Sequence, residues 1–547
     1  MNTSKFLRVT LSALVGVMAL AACNVNLKDK NGVPIGATRI QIVANTGAMP
    51  WLEQAAEKLN DGRVKSANKP VYADLISMEA GQAVNEFTRS TATMWIPDDE
   101  AWPDVLASRG NAAFKGNCVS TATSPLVIAM WKDIADALGY PARSLGWLDI
   151  SSLTADPQSW GYYTGGQFGK TLRIAHANPG LSASGANTLM AVAQAAKSSA
   201  APVSASDVAS PIVKASIGAF EGGVAVFASS TAALAQAMSS RDAKYLGAAV
   251  MYESTIVQMG KEDIVPVYPY EGTFVATHPA CINSGASAEE QAAAKAWRDA
   301  LLGADMQKLA LQNGLRPVNG AVKLGAPLSA DAGFDTAQPK IVFGASNAAA
   351  LLAAQDVWKA ARKPVNLVMV LDVSGSMAGD KINGMRDAAA QFIQQMGNDD
   401  VISLISFSTA ARTIMENQKM GAARNTAISA VRGLNANGNT ALFDAVAQGA
   451  TLIAKYNSPS RTNIMIVLTD GLDTASKRKF DAALIKDATA NNTSLYTIAY
   501  GGDANTEQLD SLAKQSNGTS YIGSEANISQ IYQDMSAAFG GSVGIGR

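Results

Sequence analysis

Four runs in the last third of the chain are apolar almost without a break: "NLVMVLDV", "VISLISFS", "TNIMIVLTD" and "SLYTIAYG". A strand with one face in water alternates apolar and polar residues. An unbroken run rich in Val and Ile marks a strand covered on both faces, as in a parallel sheet. Parallel neighbours need long crossovers, and helical segments lie where crossovers are required. These are "KINGMRDAAAQFIQQM", "ALFDAVAQGATLIAKY", "KFDAALIKDATANN" and "TEQLDSLAKQS". "ARTIMENQ" suits an antiparallel edge strand, and "NISQIYQDMSAAFG" a last covering helix. The pattern predicts a doubly wound α/β domain over residues 364–541, opened by Pro364. Ligands of such sheets bind beyond the carboxyl ends of the strands.

The first of these strands ends on hard oxygen donors. In "VNLVMVLDVSGSMAG", residues 365–379, the apolar run stops at Asp372, and Ser374 and Ser376 follow at a spacing of two. One carboxylate and two hydroxyls, with water, suit Mg²⁺, which prefers octahedral oxygen coordination. Gly375 is expected to let the backbone turn sharply so that both hydroxyls face one point. Two more loops should reach the same edge. "NANGNTALFDA" places Thr440 before a helix, and "IMIVLTDGLDT" places Asp470 at the end of a buried strand. The bland alternative is a set of turn and capping residues, because Asp, Ser and Thr cap helices readily. Asp473 reads as a solvated turn acid or as a neighbour of the site.

With all three parts present in order, residues 365–540 resemble the von Willebrand factor A domain. "DVSGSM", "GNTALFDA" and "LTDG" look like the metal-ion-dependent adhesion site of that family. The resemblance implies direct bonds from Ser374, Ser376 and Thr440 to Mg²⁺ or another divalent cation such as Mn²⁺. It implies that Asp372 and Asp470 act mainly through coordinated water. The remaining metal position would go to an acidic side chain of a protein partner. Mostly neutral ligands leave the ion electrophilic, which favours one added carboxylate.

A chain of 547 residues is too long for one core. From Arg39 to about Val322, short strand-like runs alternate with Ala-rich helical ones, again an α/β pattern. Residues 39–322 resemble bacterial extracellular solute-binding proteins. The likeness rests on "QIVANTGAMPWLEQAAEKLN", "MWIPDDEAWPDVL", "TSPLVIAM", "ANPGLSASGANTLMA", "GGVAVFASS" and "VPVYPYEGTFVATHP". It implies a two-lobed, periplasmic-binding-protein-like domain closing over a small molecule. Strands near "TSPLVIAM" and "YEGTFVATHP" would cross between the lobes. Loops at helix starts offer Asn45, Thr46 and Gly47, and Ser182 and Ser184, where backbone N–H groups can receive an anion or a carboxylate. Trp95 and Trp102 either line the cleft or pack the lobe. Glu253, Tyr268 and Glu271 are further cleft candidates. Residues 323–363 read as a linker, with Pro339, followed by an Ala-rich helix, "ASNAAALLAAQDVWKAAR".

Lys5 and Arg8 precede an apolar run from Leu11 to Ala22 that is too short to span a bilayer. It ends "LAAC", which resembles the lipobox of bacterial lipoproteins. That implies a signal peptide over residues 1–22, acylation (palmitate or similar) of Cys23 and a tether over residues 23–38. The alternative is a plain signal peptide with a chance cysteine. Asn24 lacks the aspartate associated with inner-membrane retention, which points to the outer membrane where the host has one. The remaining cysteines, Cys118 and Cys281, suit one disulfide in an exported protein, or else two separate buried thiols. A bridge between them would sit near the hinge that the solute-binding resemblance implies. Forty-four basic and 45 acidic residues give no footprint for nucleic acid. No nucleophile elbow, P-loop or HExxH is present, so the expected function is binding without catalysis. One form is an envelope lipoprotein gripping a protein acid through Mg²⁺. The other is a transport receptor for a small ligand, with the C-terminal domain as docking element.

Overall fold

The computed structural model describes residues 28–538 except residues 31, 88–91, 198–200, 459 and 517. Cys23 and the expected signal peptide lie outside the described residues. No described helix is long and apolar enough to cross a membrane.

Among the described residues the chain builds three sheets. The first lobe orders its strands Lys65–Ser66, Lys69–Ser77, Thr38–Ala44, Met94–Ile96, Pro279–Ile282 and Cys118–Ser120. The second lobe runs Ile264–Val267, Ala122–Trp131, Ala248–Tyr252, Ile174–Ala177 and Val224–Ala228. The chain passes between lobes at Thr121 and at Thr277–His278, near the two stretches expected to cross. It passes again at Arg316–Pro317, which pairs with the long strand Ala122–Trp131 and which the sequence did not suggest. Cys118 and Cys281 face each other across an antiparallel pair close to the first two crossings, and a disulfide joins them.

The C-terminal sheet orders its strands Ala411–Lys419, Val401–Phe407, Val365–Asp372, Thr462–Thr469, Ser494–Tyr500 and Ser520–Gly523. Every pairing is parallel except that of Ala411–Lys419, the expected antiparallel edge. All eight residues of Val365–Asp372 are buried. Leu367, Met369 and Leu371 enter one core and Val368 and Val370 the other, so the two-faced burial read from composition follows from covering helices on both sides.

The expected helix after Pro339 is present, and the stretch before it, read as a linker, packs on the N-terminal half. Ile341 and Phe343 clasp Thr273 through backbone hydrogen bonds, and Phe343 packs edge-on against Phe274. The helix Ala348–Ala361 buries Leu351, Ala354 and Trp358 in the core of the solute-binding half, and Gln355 donates to the Pro179 carbonyl at 2.6 Å. Its alanines permit close helix packing. The helix runs straight into the C-terminal domain, where Arg362 pairs in a fork with buried Asp400 at 3.1 and 3.2 Å. Arg241 of the second lobe stacks on Tyr245 and donates to the Lys514, Ser516 and Gly518 carbonyls.

The disulfide closes a span of 163 residues. Reducing it should cost about 2–5 kcal/mol of stability, read as a lower denaturation midpoint of the first unfolding transition with reductant than without.

Candidate functional site

The structure brings the five expected oxygen donors to one sheet edge. Asp372 closes the central strand and Asp470 follows its neighbour Thr462–Thr469, so both leave the sheet at its carboxyl end, where the connections part to opposite sides. Asp372 is fully buried. One of its oxygens accepts the Ser374 N–H at 2.7 Å and the other the Thr469 hydroxyl at 2.6 Å. Burial pushes its carboxyl above the ordinary value, the Ser374 and Thr469 hydrogen bonds pull it back, and the Asp470 charge adds to the rise. The Ser374 and Ser376 hydroxyls lie 3.1 Å apart, and Ser376 donates to Asp470 at 2.7 Å. Lys381 completes the chain on the other Asp470 oxygen at 2.6 Å. Thr440 reaches the same place: a Cβ built on Gly471 would lie 3.8 Å from both the Ser376 and Thr440 hydroxyls.

Backbone bonds stitch the three loops together. Gly375 donates to the Gly438 carbonyl, Asn437 to that of Val373, and Thr474 and Ala475 both to that of Thr440. Gly375 does not adopt the left-handed conformation, so the expected reason for it is corrected. A Cβ there would press to 3.3 Å on the Gly438 oxygen, so glycine is needed for close approach. Gly438 does carry a positive φ of 77°, and a Cβ there would meet the Thr409 hydroxyl at 2.6 Å. Asp473 is no free turn acid. It accepts the Phe443 N–H at 3.3 Å and the Ser476 hydroxyl at 2.5 Å, which ties the Thr440 helix to the Asp470 loop.

Among the described residues no three His, Cys, Asp or Glu side chains gather as a metal cluster. The edge is a different kind of donor set: two carboxylates, one ammonium and three hydroxyls. Lys381 offsets only one acid, so the set retains negative charge beside neutral oxygens. Cis oxygens on octahedral Mg²⁺ with bonds of about 2.1 Å lie about 3 Å apart, close to the serine separation.

A second polar cluster lies where the two lobes meet. Asn45 and Thr46 are there, as expected, but their groups are engaged. Asn45 Oδ1 accepts the Ala48 N–H at 3.0 Å, and its amide nitrogen sits 3.0 Å from His278 Nδ1. Thr46 donates its N–H and hydroxyl to Glu79 at 3.1 and 2.7 Å. The Gly47 carbonyl accepts from the Gln258 amide at 2.9 Å. Ser182 and Ser184 are buried and hydrogen-bonded to each other at 3.0 Å, and Ser182 also faces Glu79. At the Thr46 N–H, one of the expected anion donors, the chain's own Glu79 carboxylate is already bound. Glu79, Asp98, Tyr252 and His278, which sequence reasoning missed, share this cluster. Only the closing of four distant stretches brings them together, so no local signal could have found them. Trp95 and Trp102 pack in the core. Glu253 pairs with Arg316 and accepts from Tyr268, and Glu271 caps the helix Trp147–Ala155 through the Trp147 and Leu148 N–H groups. All three are structural.

Residues 40–316 match the family model for bacterial extracellular solute-binding protein, and residues 366–534 that for the von Willebrand factor type A domain. An uncharacterized protein of Synechocystis is 32% identical over 182 residues, 32% of this chain and 42% of that protein. The inter-alpha-trypsin inhibitor heavy chain H3 of Mesocricetus auratus is 30% identical over 177 residues, 30% of this chain and 20% of that one. The chain spans less than half the length of these curated relatives. Among solved structures, the sulfate-binding protein SubI of Mycobacterium tuberculosis aligns over 52% of this chain and 88% of its own, at 17% identity and TM-score 0.38.

Burial pushes the Asp98 carboxyl well above the ordinary range, with the Glu79 and Asp99 charges adding to it. A carboxyl raised by folding takes up a proton on folding. Its stabilising effect is present at low pH and declines as pH rises from the ordinary carboxylate value towards the raised one. Asp98→Asn should therefore raise the melting temperature of the ligand-free protein more at about pH 7.5 than at about pH 4. Differential scanning calorimetry at both pH values checks this.

Proposed function

This chain belongs to the bacterial extracellular solute-binding protein family and carries a von Willebrand factor type A domain, and on that premise we propose that it is a non-enzymatic cell-envelope protein that grips a partner protein through a divalent ion. The observation that carries the reading is the convergence of Ser374, Ser376, Thr440, Asp372 and Asp470 on one sheet edge. The three hydroxyls would hold Mg²⁺, or Mn²⁺, directly, and the two carboxylates would orient its water. The ion supplies Lewis acidity towards one carboxylate of the partner. The rest is done by the chain: Thr469 and the Ser374 N–H hold Asp372 in place, Lys381 orients Asp470, and the glycine contact of Gly375 on Gly438 fixes the hydroxyls' spacing. Acylation of Cys23 would tether the protein to the envelope, at the outer membrane where one exists.

The unpartnered polar groups between the lobes favour a second reading beside the first, a receptor that hands a small solute to a membrane permease, with the C-terminal domain as docking element.

Mg²⁺ should raise the melting temperature by several degrees and EDTA should abolish the rise, with Thr440→Ala losing at least tenfold in Mg²⁺ affinity. Pull-down from envelope extracts should recover a partner in Mg²⁺ with the intact protein, and not in EDTA or with Asp372→Ala. Capture that ignores both EDTA and Asp372→Ala would sink the reading.

A further inference from the structure

The cluster between the lobes holds buried polar atoms that the protein itself leaves without partners. Asn45 Oδ1 is committed to the Ala48 N–H, so its amide nitrogen is the group that faces His278 Nδ1 and donates to it. His278 is fully buried, and burial lowers its pKa to about 4. It is a neutral imidazole with its proton on Nε2, and that N–H has no acceptor. The backbone of His278 is held at a φ of 39°, a costly conformation for a residue that is not glycine. Asp98, buried, leaves Oδ2 without a donor of ordinary hydrogen-bond geometry, and the Tyr252 hydroxyl, in the same position, lies close enough to interact with it.

The charge here has one sign. Glu79 and Asp98 are buried and Asp99 is half-buried, and the ionic neighbours acting on Asp98 are the other two acids. Among the described residues no Lys or Arg offsets them. Asp99 is satisfied by the Ala101 N–H and, across the lobes, by Asn187 at 2.9 Å. Glu79 is partly satisfied by Thr46. Asp98 is left over. The first lobe supplies Glu79, Asp98 and His278, and the second supplies Tyr252.

We propose that this interlobe site takes a small organic cation, an amine or guanidine that also carries a neutral oxygen. Its N–H groups would meet Asp98 Oδ2 and the Glu79 carboxylate, and its oxygen would accept from His278 Nε2–H and Tyr252. An oxyanion would meet the Glu79 and Asp98 acids and, among the described residues, no Lys or Arg to hold it. A metal ion cannot use His278, because Asn45 occupies the Nδ1 lone pair and Nε2 carries the proton. The inference rests on the receptor reading given above and does not touch the ion-dependent grip.

The test is calorimetric titration of the full chain with ethanolamine, agmatine, putrescine and lysinamide, against sulfate, phosphate, molybdate and glucose. At least one amine should bind tenfold or more tighter than any oxyanion or sugar. Asp98→Asn and Tyr252→Phe should each weaken it tenfold or more while melting cooperatively at or above the parent temperature. EDTA should leave it unchanged. Preferential binding of an oxyanion or glucose overturns the cation and leaves the receptor reading standing. No binding by any probe overturns both. An amine whose affinity ignores Asp98→Asn overturns the site.

Discussion

Taking a carboxylate out of water is costly unless charge or hydrogen bonds replace what the water gave, and both halves of this chain are organised round acids taken out in that way. Asp372 is buried at the end of the central strand, and its two donors come from different places: the Ser374 N–H just beyond it and the Thr469 hydroxyl on the next strand. Satisfying one acid therefore fixes two loops against each other. The relay through Ser376 to Asp470 and Lys381 extends the same logic across the crevice where the connections part. In the solute-binding half, Asp98 stands in a similar place after a short strand. There the surrounding groups are further acids, and the compensation is incomplete.

What the sequence made legible follows from geometry that is local or periodic. Burial on both faces abolishes alternation, so the strands of the C-terminal sheet could be read as apolar runs. Ser374 and Ser376 lie within one turn of Asp372, and "DVSGSM" carries a family likeness that drew in Thr440 and Asp470. The lobe crossings came with the likeness to solute-binding proteins, and the partnership of Cys118 with Cys281 from an even pair of cysteines in a chain read as exported.

The rest depends on contacts between distant stretches. Glu79, Asp98, Tyr252 and His278 lie in "SMEAG", "IPDDE", "VMYES" and "ATHPA", none of which is unusual taken singly. Their meaning appears only when two lobes meet. The helix Ala348–Ala361 was legible as a helix, but alanine composition says nothing of what the helix packs on. Gly375 was assigned to a turn, whereas its lack of a side chain matters to a neighbour 63 residues on, Gly438. The loops at helix starts were read as anion cradles, and Glu79 already lies in one of them.

The strand Thr38–Ala44 belongs to the first lobe, so the chain enters on that side of the crossings. The helix Ala348–Ala361 packs chiefly on the second lobe, and Arg362 and Arg241 fasten the C-terminal domain to that same side. The strand Thr38–Ala44 and the C-terminal domain are thus mounted on opposite leaves of one joint. Any rotation at the joint swings the oxygen-lined edge like a boom about a mast, altering how far and in what direction it points from the point of entry while its own shape stays the same.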